Sequence, residues 1–493
     1  MFAFAIAGGV LPPGARAGHP PTAFMFTDRV ANTSLRMPQL GPASVTDFPQ
    51  TLADTGAFVS LVTLTPQPGI IPFELNVPLW SDGAHKTRWF CLPGTNRIVF
   101  SRDGGWVAPI GTVWIKHFDL ELTNGVAESA RRLETRFLVR TEDGVYGVTY
   151  RWGGSLTNAT LVDAGGLNED FAIHDDGAVR KQTWHYPAHS ECLACHSHAA
   201  GYSLGFNSAQ FNREVRCPDG PQNQIRRLSD LGYFNTNISG LNTLRALAHP
   251  TNTAVSLEYR VRSYLAANCV HCHQPEAFCP TPWNGVLTNS LARTHLINGE
   301  LGNNWGDSEN RVIKSGDPDH SVLLKRISTR GALQMPPLCT TVVDTQGVAL
   351  FRAWITNDLP GRQSFGDWQL ANFGSTSTAE AAPEADPDGD GACNDLEYLT
   401  GTDPQRGNDA WRISIRKASE GIQIWFPQIA NRGFEVQWTT NLADRSSWQA
   451  LDVPGNRPFF LGVDREFGVV DSDFNPLDER TPRRFYRVRV FEP

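Results

Sequence analysis

Leu257-Glu-Tyr-Arg-Val261-Arg-Ser-Tyr264-Leu265-Ala-Ala-Asn-Cys269-Val-His-Cys272-His273 is the stretch from which the rest of the chain can be read. Leu257, Val261, Tyr264 and Leu265 recur at helical spacing, which predicts a helix leading straight into Cys269. The five residues from Cys269 to His273 read C-x-x-C-H, the attachment signature of c-type haem. The two thiols form thioethers to the porphyrin vinyl groups, and the next His is placed to ligate the iron from the proximal side. The word occurs again as Cys192-Leu-Ala-Cys195-His196. With 9 Cys and 13 His in 493 residues, chance does not produce it twice. Two covalently bound haem c groups are expected. Zinc sites built from paired C-x2-C words use gaps of about 15–20 residues, whereas residues 196–268 intervene here. A thioredoxin-like pair needs a βαβ pattern that neither word has.

Downstream of the second word stands Gln334-Met335-Pro336-Pro337. Asp344 is then placed to cap a helix carrying Val348, Phe351, Trp354 and Ile355 on one face. Helix, C-x-x-C-H, Met in a Pro-rich loop and closing helix, over residues 255–360, resemble a small class I cytochrome c domain. His273 is then the proximal ligand and Met335 the distal one. The chain has four Met, and Met335 is the only one in its C-terminal half. A thioether favours ferrous iron and raises the potential. For the first haem the distal ligand stays open among His185, His189, His117, Met37 and a vacant position.

Residues 30–254 read as a β-rich domain carrying the first haem. Gly111-Thr-Val-Trp-Ile-Lys-His-Phe118, Leu133–Arg140 and Val145–Trp152 are rich in Val, Thr, Tyr, Trp and Phe between Gly- and Asp-containing turns. A β-sandwich is the expected form. Residues 374–385 are small, polar and Pro-containing, and read as a linker. Across 386–404 the spacing of Asp386, Asp388, Asp390, the Ala392 carbonyl, Asn394 and Glu397, with Gly391 at position 6, is that of an EF-hand-type calcium loop. An acidic, solvated linker is the plain alternative. The loop looks more like a dockerin or thrombospondin type 3 repeat than a sensor EF-hand, so one structural Ca²⁺ is expected. Period-two alternation from Trp411 to Val490 predicts a β-sandwich over 410–493. The expected fold class is multi-domain α+β: a β-rich domain, a helical cytochrome c domain and a C-terminal sandwich.

The formal net charge is −8, which argues against nucleic acid as a partner. No run of eighteen apolar residues predicts a membrane span. Met1–Leu11 is apolar and Ala15-Arg-Ala17 is A-x-A-like, so 1–17 resembles the end of a secretory signal. Covalent haem attachment also favours export, to the periplasm or the cell surface. There the remaining cysteines meet an oxidising compartment. Cys279 and Cys339 should both lie near the second haem and are expected to pair. Cys91, Cys217 and Cys393 have no evident partner.

Phe48-Pro-Gln-Thr-Leu-Ala-Asp-Thr-Gly56, Asn76-Val-Pro-Leu-Trp-Ser-Asp-Gly83, Arg131-Arg-Leu-Glu-Thr-Arg136, Glu191-Cys-Leu-Ala-Cys-His196 and Gly201-Tyr-Ser-Leu-Gly-Phe-Asn207 resemble a group of bacterial dihaem c-type cytochromes. The resemblance covers roughly residues 30–360. Members are often exported, and some are joined to or encoded beside quinoprotein dehydrogenases of the glucose/sorbosone type. It implies haem on Cys192, Cys195 and His196 and on Cys269, Cys272 and His273, with Met335 as the M-P-P ligand. A dehydrogenase partner would be a separate chain, since no propeller is present here. Three functions are expected in turn. The first is a single-electron carrier between a dehydrogenase and an acceptor. The second is a peroxidase-like dihaem enzyme with an open His196 haem. The third is a surface-binding protein that uses the C-terminal sandwich.

Overall fold

A computed structural model of the protein describes residues 28–39, 47–277, 282–474 and 483–493. Segment 1–17 lies outside the described residues, as does Cys279 and with it the Cys279–Cys339 pairing. The fold is mixed, with about 20% of residues in helix and 27% in strand, the strands forming several small sheets. Among the described residues no helix is long and apolar enough to cross a membrane.

A short pair, β1 (Phe58–Ser60) and β2 (Thr65–Pro66), precedes the main sheet. There β3 (Ile70–Pro72), β4 (His85–Cys91), β5 (Val113–Glu121), β6 (Ala130–Arg140), β7 (Val145–Arg151) and β8 (Thr160–Leu161) lie in sequence order, every pair antiparallel. The three stretches read as strands fall in β5, β6 and β7. In place of two stacked sheets there is one six-stranded meander. A hairpin of β9 (Leu167–Asp175) and β10 (Ala178–Tyr186) lies over one end of it, where Phe171, Ile173, Trp184 and Tyr186 pack on Phe118, Leu120 and Leu133. Alternation sorts the side chains to two faces. Trp89, Ile115, Phe137 and Tyr150 close on Met37, Phe48 and Phe58. On the other face Phe90, Trp114 and Leu138 sit under Phe206, Phe211 and Phe234.

That second face also carries α1 (His189–Cys195), α2 (Ser208–Phe211), the small hairpin β11 (Glu214–Cys217) and β12 (Gly220–Asn223), and α3 (Gln224–Asp230). Next come α4 (Leu257–Asn268), α5 (Leu291–Thr294), α6 (Val322–Ile327) and α7 (Thr345–Ala353). The apolar spacing read in α4 has its reason in packing: Val261, Tyr264 and Leu265 meet Leu323, Leu350, Phe351, Trp354 and Ile355. Burying each such side chain contributes about 1.5–3 kcal/mol. Asp344 caps α7 as expected, accepting the Gly347 amide at 3.0 Å. The Asn76–Gly83 word stitches this region to the sheet. The Trp80 amide donates to Asn268 Oδ1 (2.7 Å) and Trp80 Nε1 to the Val342 carbonyl (2.9 Å). The buried Asp82 carboxylate accepts from Thr340 Oγ1 (2.6 Å) and from the amides of Thr341 (2.8 Å) and Val342 (3.0 Å).

Beyond α8 (Phe365–Phe373) and α9 (Asn394–Thr400), two antiparallel three-stranded sheets face one apolar core. One sheet holds β13 (Ser414–Ala418), β14 (Gly421–Gln428) and β17 (Arg465–Asp471). The other holds β15 (Gly433–Thr439), β16 (Gln449–Ala450) and β18 (Phe485–Phe491). This unit docks on α4. The Phe460 ring lies 4.3 Å from Tyr259, and the Ser256 amide donates to the Phe460 carbonyl at 2.8 Å. The buried Arg262 donates to the Pro493 carbonyl at 2.6 Å. Arg362 joins Glu258 (3.0 Å) to Glu492 (2.8 Å). The 374–385 stretch is folded back on its neighbours: Gln369 Nε2 donates to the Ala381 carbonyl at 2.6 Å.

Candidate functional site

The first word sits at the end of a short helix laid on the sheet. Helix α1 starts where Glu191 accepts the Ala188 amide (2.7 Å) and a bond from His185 Nε2 (2.8 Å). It can lie that close because β7 carries Gly147 beneath it: a Cβ there would stand 2.6 Å from Cys192 Sγ. Gly147 was missed in the sequence, although a lone Gly inside a strand pattern signals close approach of another group. The chain turns after His196 through Tyr202, whose φ of 63° aims its carbonyl back. His196 Nδ1 donates to that carbonyl at 2.5 Å. The bond fixes the ring and leaves Nε2 as the free lone pair, the arrangement that metal-ligating histidines adopt. Burial, and then the charges of Lys116, His271 and Arg136, push the imidazole down to about 4, so the neutral ligand form prevails.

The second word ends α4, with Cys269 as the C-cap. His273 stacks on Trp283 at 3.8 Å, and its Nδ1 is buried without a hydrogen-bond partner. Burial, and then His271, push this imidazole also down to about 4. Met335 is half-buried, outside the apolar core of this region. Its amide donates to the Arg326 carbonyl (3.0 Å), and Arg326 is a charge felt by His273. Gln334 pins the loop by donating to the carbonyls of Pro336 (3.0 Å) and Thr340 (3.1 Å).

The two words touch. Cys272 Sγ lies 3.9 Å from the Ala194 carbonyl, within interaction range of the Cys195 thiol. The Cys195 thiol, and then His271, pull the Cys272 thiol below its ordinary range. All four sulphurs are free thiols, the form that thioether bonding requires. The donor set, the close seating of α1 over Gly147 and the oriented His196 fit a covalently held porphyrin at the first word. The buried, neutral His273 following Cys269 and Cys272 fits one at the second, but its Nδ1 lacks the carbonyl partner that orients His196.

The structure thins the field of distal ligands for the first haem. His117 is buried on the far face of the sheet, with Nδ1 on Thr135 (2.8 Å) and Nε2 on Asp119 (3.2 Å). Met37 is packed in the core of that same face. His185 has both nitrogens engaged, on Asn168 (2.7 Å) and on Glu191. His189 keeps a buried, unpartnered Nε2, but it belongs to the same helix as the word. Cys339 was expected beside the second haem. It lies within electrostatic range of Cys192, Glu191 and Arg136, on the side of the first.

In the 386–397 loop, carboxylate oxygens of Asp386, Asp388 and Asp390 all lie within 4.8 Å of one another. Asp386 accepts the amides of Gly389 (2.9 Å) and Gly391 (3.0 Å), and Gly391 takes the left-handed turn (φ 94°) that position 6 requires. Asn394 and Glu397 are fully buried on α9. Asp388 Oδ2, Asp390 Oδ2, Asn394 Oδ1 and Glu397 Oε2 are buried with no partner. Burial and the charges of Asp388 and Asp390 raise the Glu397 carboxyl to about 7. A group of unpartnered oxygens that repel one another is the donor set a hard divalent cation satisfies, and it fits Ca²⁺.

Compared with family models, with curated proteins and with solved structures, the chain finds no match.

Proposed function

We propose that the chain is an exported dihaem c-type cytochrome that passes single electrons between a donor, such as a quinoprotein dehydrogenase, and an acceptor. Contact between the two C-x-x-C-H words carries the reading: groups tethered at Cys195 and Cys272 are held side by side by the fold. Bound haem supplies a one-electron ferric/ferrous couple. The chain's own residues hold it (Cys192, Cys195, Cys269 and Cys272), ligate it (His196, His273 and Met335) and keep the imidazoles neutral by burial. One Ca²⁺ on Asp386, Asp388, Asp390, Ala392, Asn394 and Glu397 has a structural role, bracing α9. From α9, Tyr398 bonds Glu492 at 2.8 Å, beside the Arg362–Glu258 link to α4. Covalent haem places the protein in the periplasm or at the cell surface. Packing of the C-terminal sheets on α4 favours bracing over capture of an outside partner.

A second reading keeps one specific support. His117, Met37 and His185 are turned elsewhere, so none of the three would hold the distal position of a haem at His196, a position that a peroxidase-like enzyme would need open. Intact mass of the protein expressed with the haem-attachment machinery tests the main reading. Two covalent haems are expected per chain; a mass equal to the bare polypeptide would overturn it.

A further inference from the structure

A row of like charge crosses the middle of the six-stranded sheet. Register puts Arg88 of β4 opposite Lys116 of β5, and Lys116 opposite Arg136 of β6. Lys86, two residues before Arg88, faces the same way. Directly opposed residues stand about 4.5–5.5 Å apart, and like charges at that range repel. Glu134 is hydrogen-bonded to Arg136 twice, at 2.8 and 2.5 Å, and to Trp184 Nε1 at 3.0 Å, and its charge also reaches Lys116. Glu74 pairs with Arg213 at 2.8 Å, and its charge also reaches Arg88. Arg88 is 9% exposed, and its Nη2 is buried without a partner. Lys116 Nζ hangs 4.9 Å over the Phe118 ring. Burial, and then Arg88, Lys86 and Arg136, hold the Lys116 amine well below the usual lysine range. Buried charge that is only partly compensated in this way is costly until a further counter-charge arrives.

The row is not wholly sealed in a core. Lys86, Lys116, Arg136 and His196 are deeply set yet keep part of their surface in solvent. The row runs beside the first word, with Lys116 and Arg136 in electrostatic reach of His196, and Arg136 of Cys192.

The geometry points to the Arg88–Lys116–Arg136 row as a carboxylate seat that binds the propionates of the porphyrin tethered at Cys192 and Cys195. The inference rests on the haem reading above. A c-type haem carries its thioethers on one edge and its propionates on the opposite edge. Cys192 is anchored over β7, and Lys116 and Arg88 lie two and three strands away, about 10 and 14 Å. The sulphur anchor and these two cations therefore stand on one sheet face, two and three strands apart, with Arg136 between them. Cations held against propionates favour the ferrous state and raise the potential of this haem alone.

The test is spectroelectrochemical titration of the haem-loaded protein, with covalent haem counted by mass in the same samples. Lys116→Met is expected to shift the reduction equilibrium of the His196 haem at least tenfold toward ferric, 59 mV for a one-electron couple. The His273 haem should not move, and Lys116→Arg should keep the original potential. Arg88→Gln, at the other end of the row, is the second variant and should shift the same haem in the same direction. Two covalent haems with neither neutral variant moving a potential would overturn the seat and leave the haem reading standing. A protein without covalent haem would overturn the haem reading itself. On the unmutated protein, exchanging chloride for phosphate at constant ionic strength should change nothing. A phosphate-dependent potential would mean that the row holds a free anion, and would overturn the propionate assignment.

Discussion

The same five-residue word is housed in two different ways. At Cys192–His196 it rides on a short helix over a sheet, its imidazole fixed by the Tyr202 carbonyl, with a row of cations alongside. At Cys269–His273 it ends a twelve-residue helix in an apolar core, its imidazole stacked on Trp283. The word specifies attachment; the surroundings set ligation and potential. On this account the second haem is a closed relay, and the first is the one whose chemistry can vary.

Removing one anchor separates the two sites most completely. Cys269→Ala should leave one covalent haem per chain by intact mass, the one on Cys192 and Cys195; a mutant still carrying two would break the assignment. Met335→Ala should lower the potential of the His273 haem by tenfold or more in its reduction equilibrium, at 59 mV per tenfold, without moving the His196 haem. Redox titration checks this, and an unchanged upper potential would remove Met335 as a ligand.

Calcium should raise the melting temperature of the protein, the stabilisation reaching about 2.7 kcal/mol at a hundredfold excess over Kd. The pH dependence has a definite sign. The Glu397 carboxyl sits raised, at about 7 against an ordinary value of 4.5. Without metal it therefore costs stability increasingly as pH rises from 4.5 to 7. Ca²⁺ needs the ionised form and removes that cost. The calcium-induced shift in melting temperature should be larger at pH 8 than at pH 5.5 and absent in Glu397→Gln; the opposite trend would discard the site. Gly147→Ala forces α1 off the sheet at a cost of about 1–3 kcal/mol. It should lower haem loading at the first word only, as mass and denaturant unfolding would report.

Local patterns were legible in the sequence because they are set by neighbours in the chain. The apolar spacing of α4, the Asp344 cap, the strands 113–121, 130–140 and 145–151, and the turn at Gly391 all fall where period and residue type put them. Long-range pairing was not legible. Alternation marks a strand but not its partner, so one meander with a hairpin was read as a sandwich. His117 and Met37 were reasonable ligands by type, but the sheet faces them away from α1. Arg88, Lys116 and Arg136 look unrelated in sequence, and only the register of three strands makes them a row. The touching of Cys195 and Cys272, 77 positions apart in the chain, carries no sequence signal at all.

The most direct measurement is the EPR spectrum of the ferric, haem-loaded protein with its spins counted. The account predicts two haem spins per chain, broadened by mutual coupling because the two words touch, with the His273 haem low-spin. Two narrow, uncoupled signals, or fewer than two spins, would contradict it.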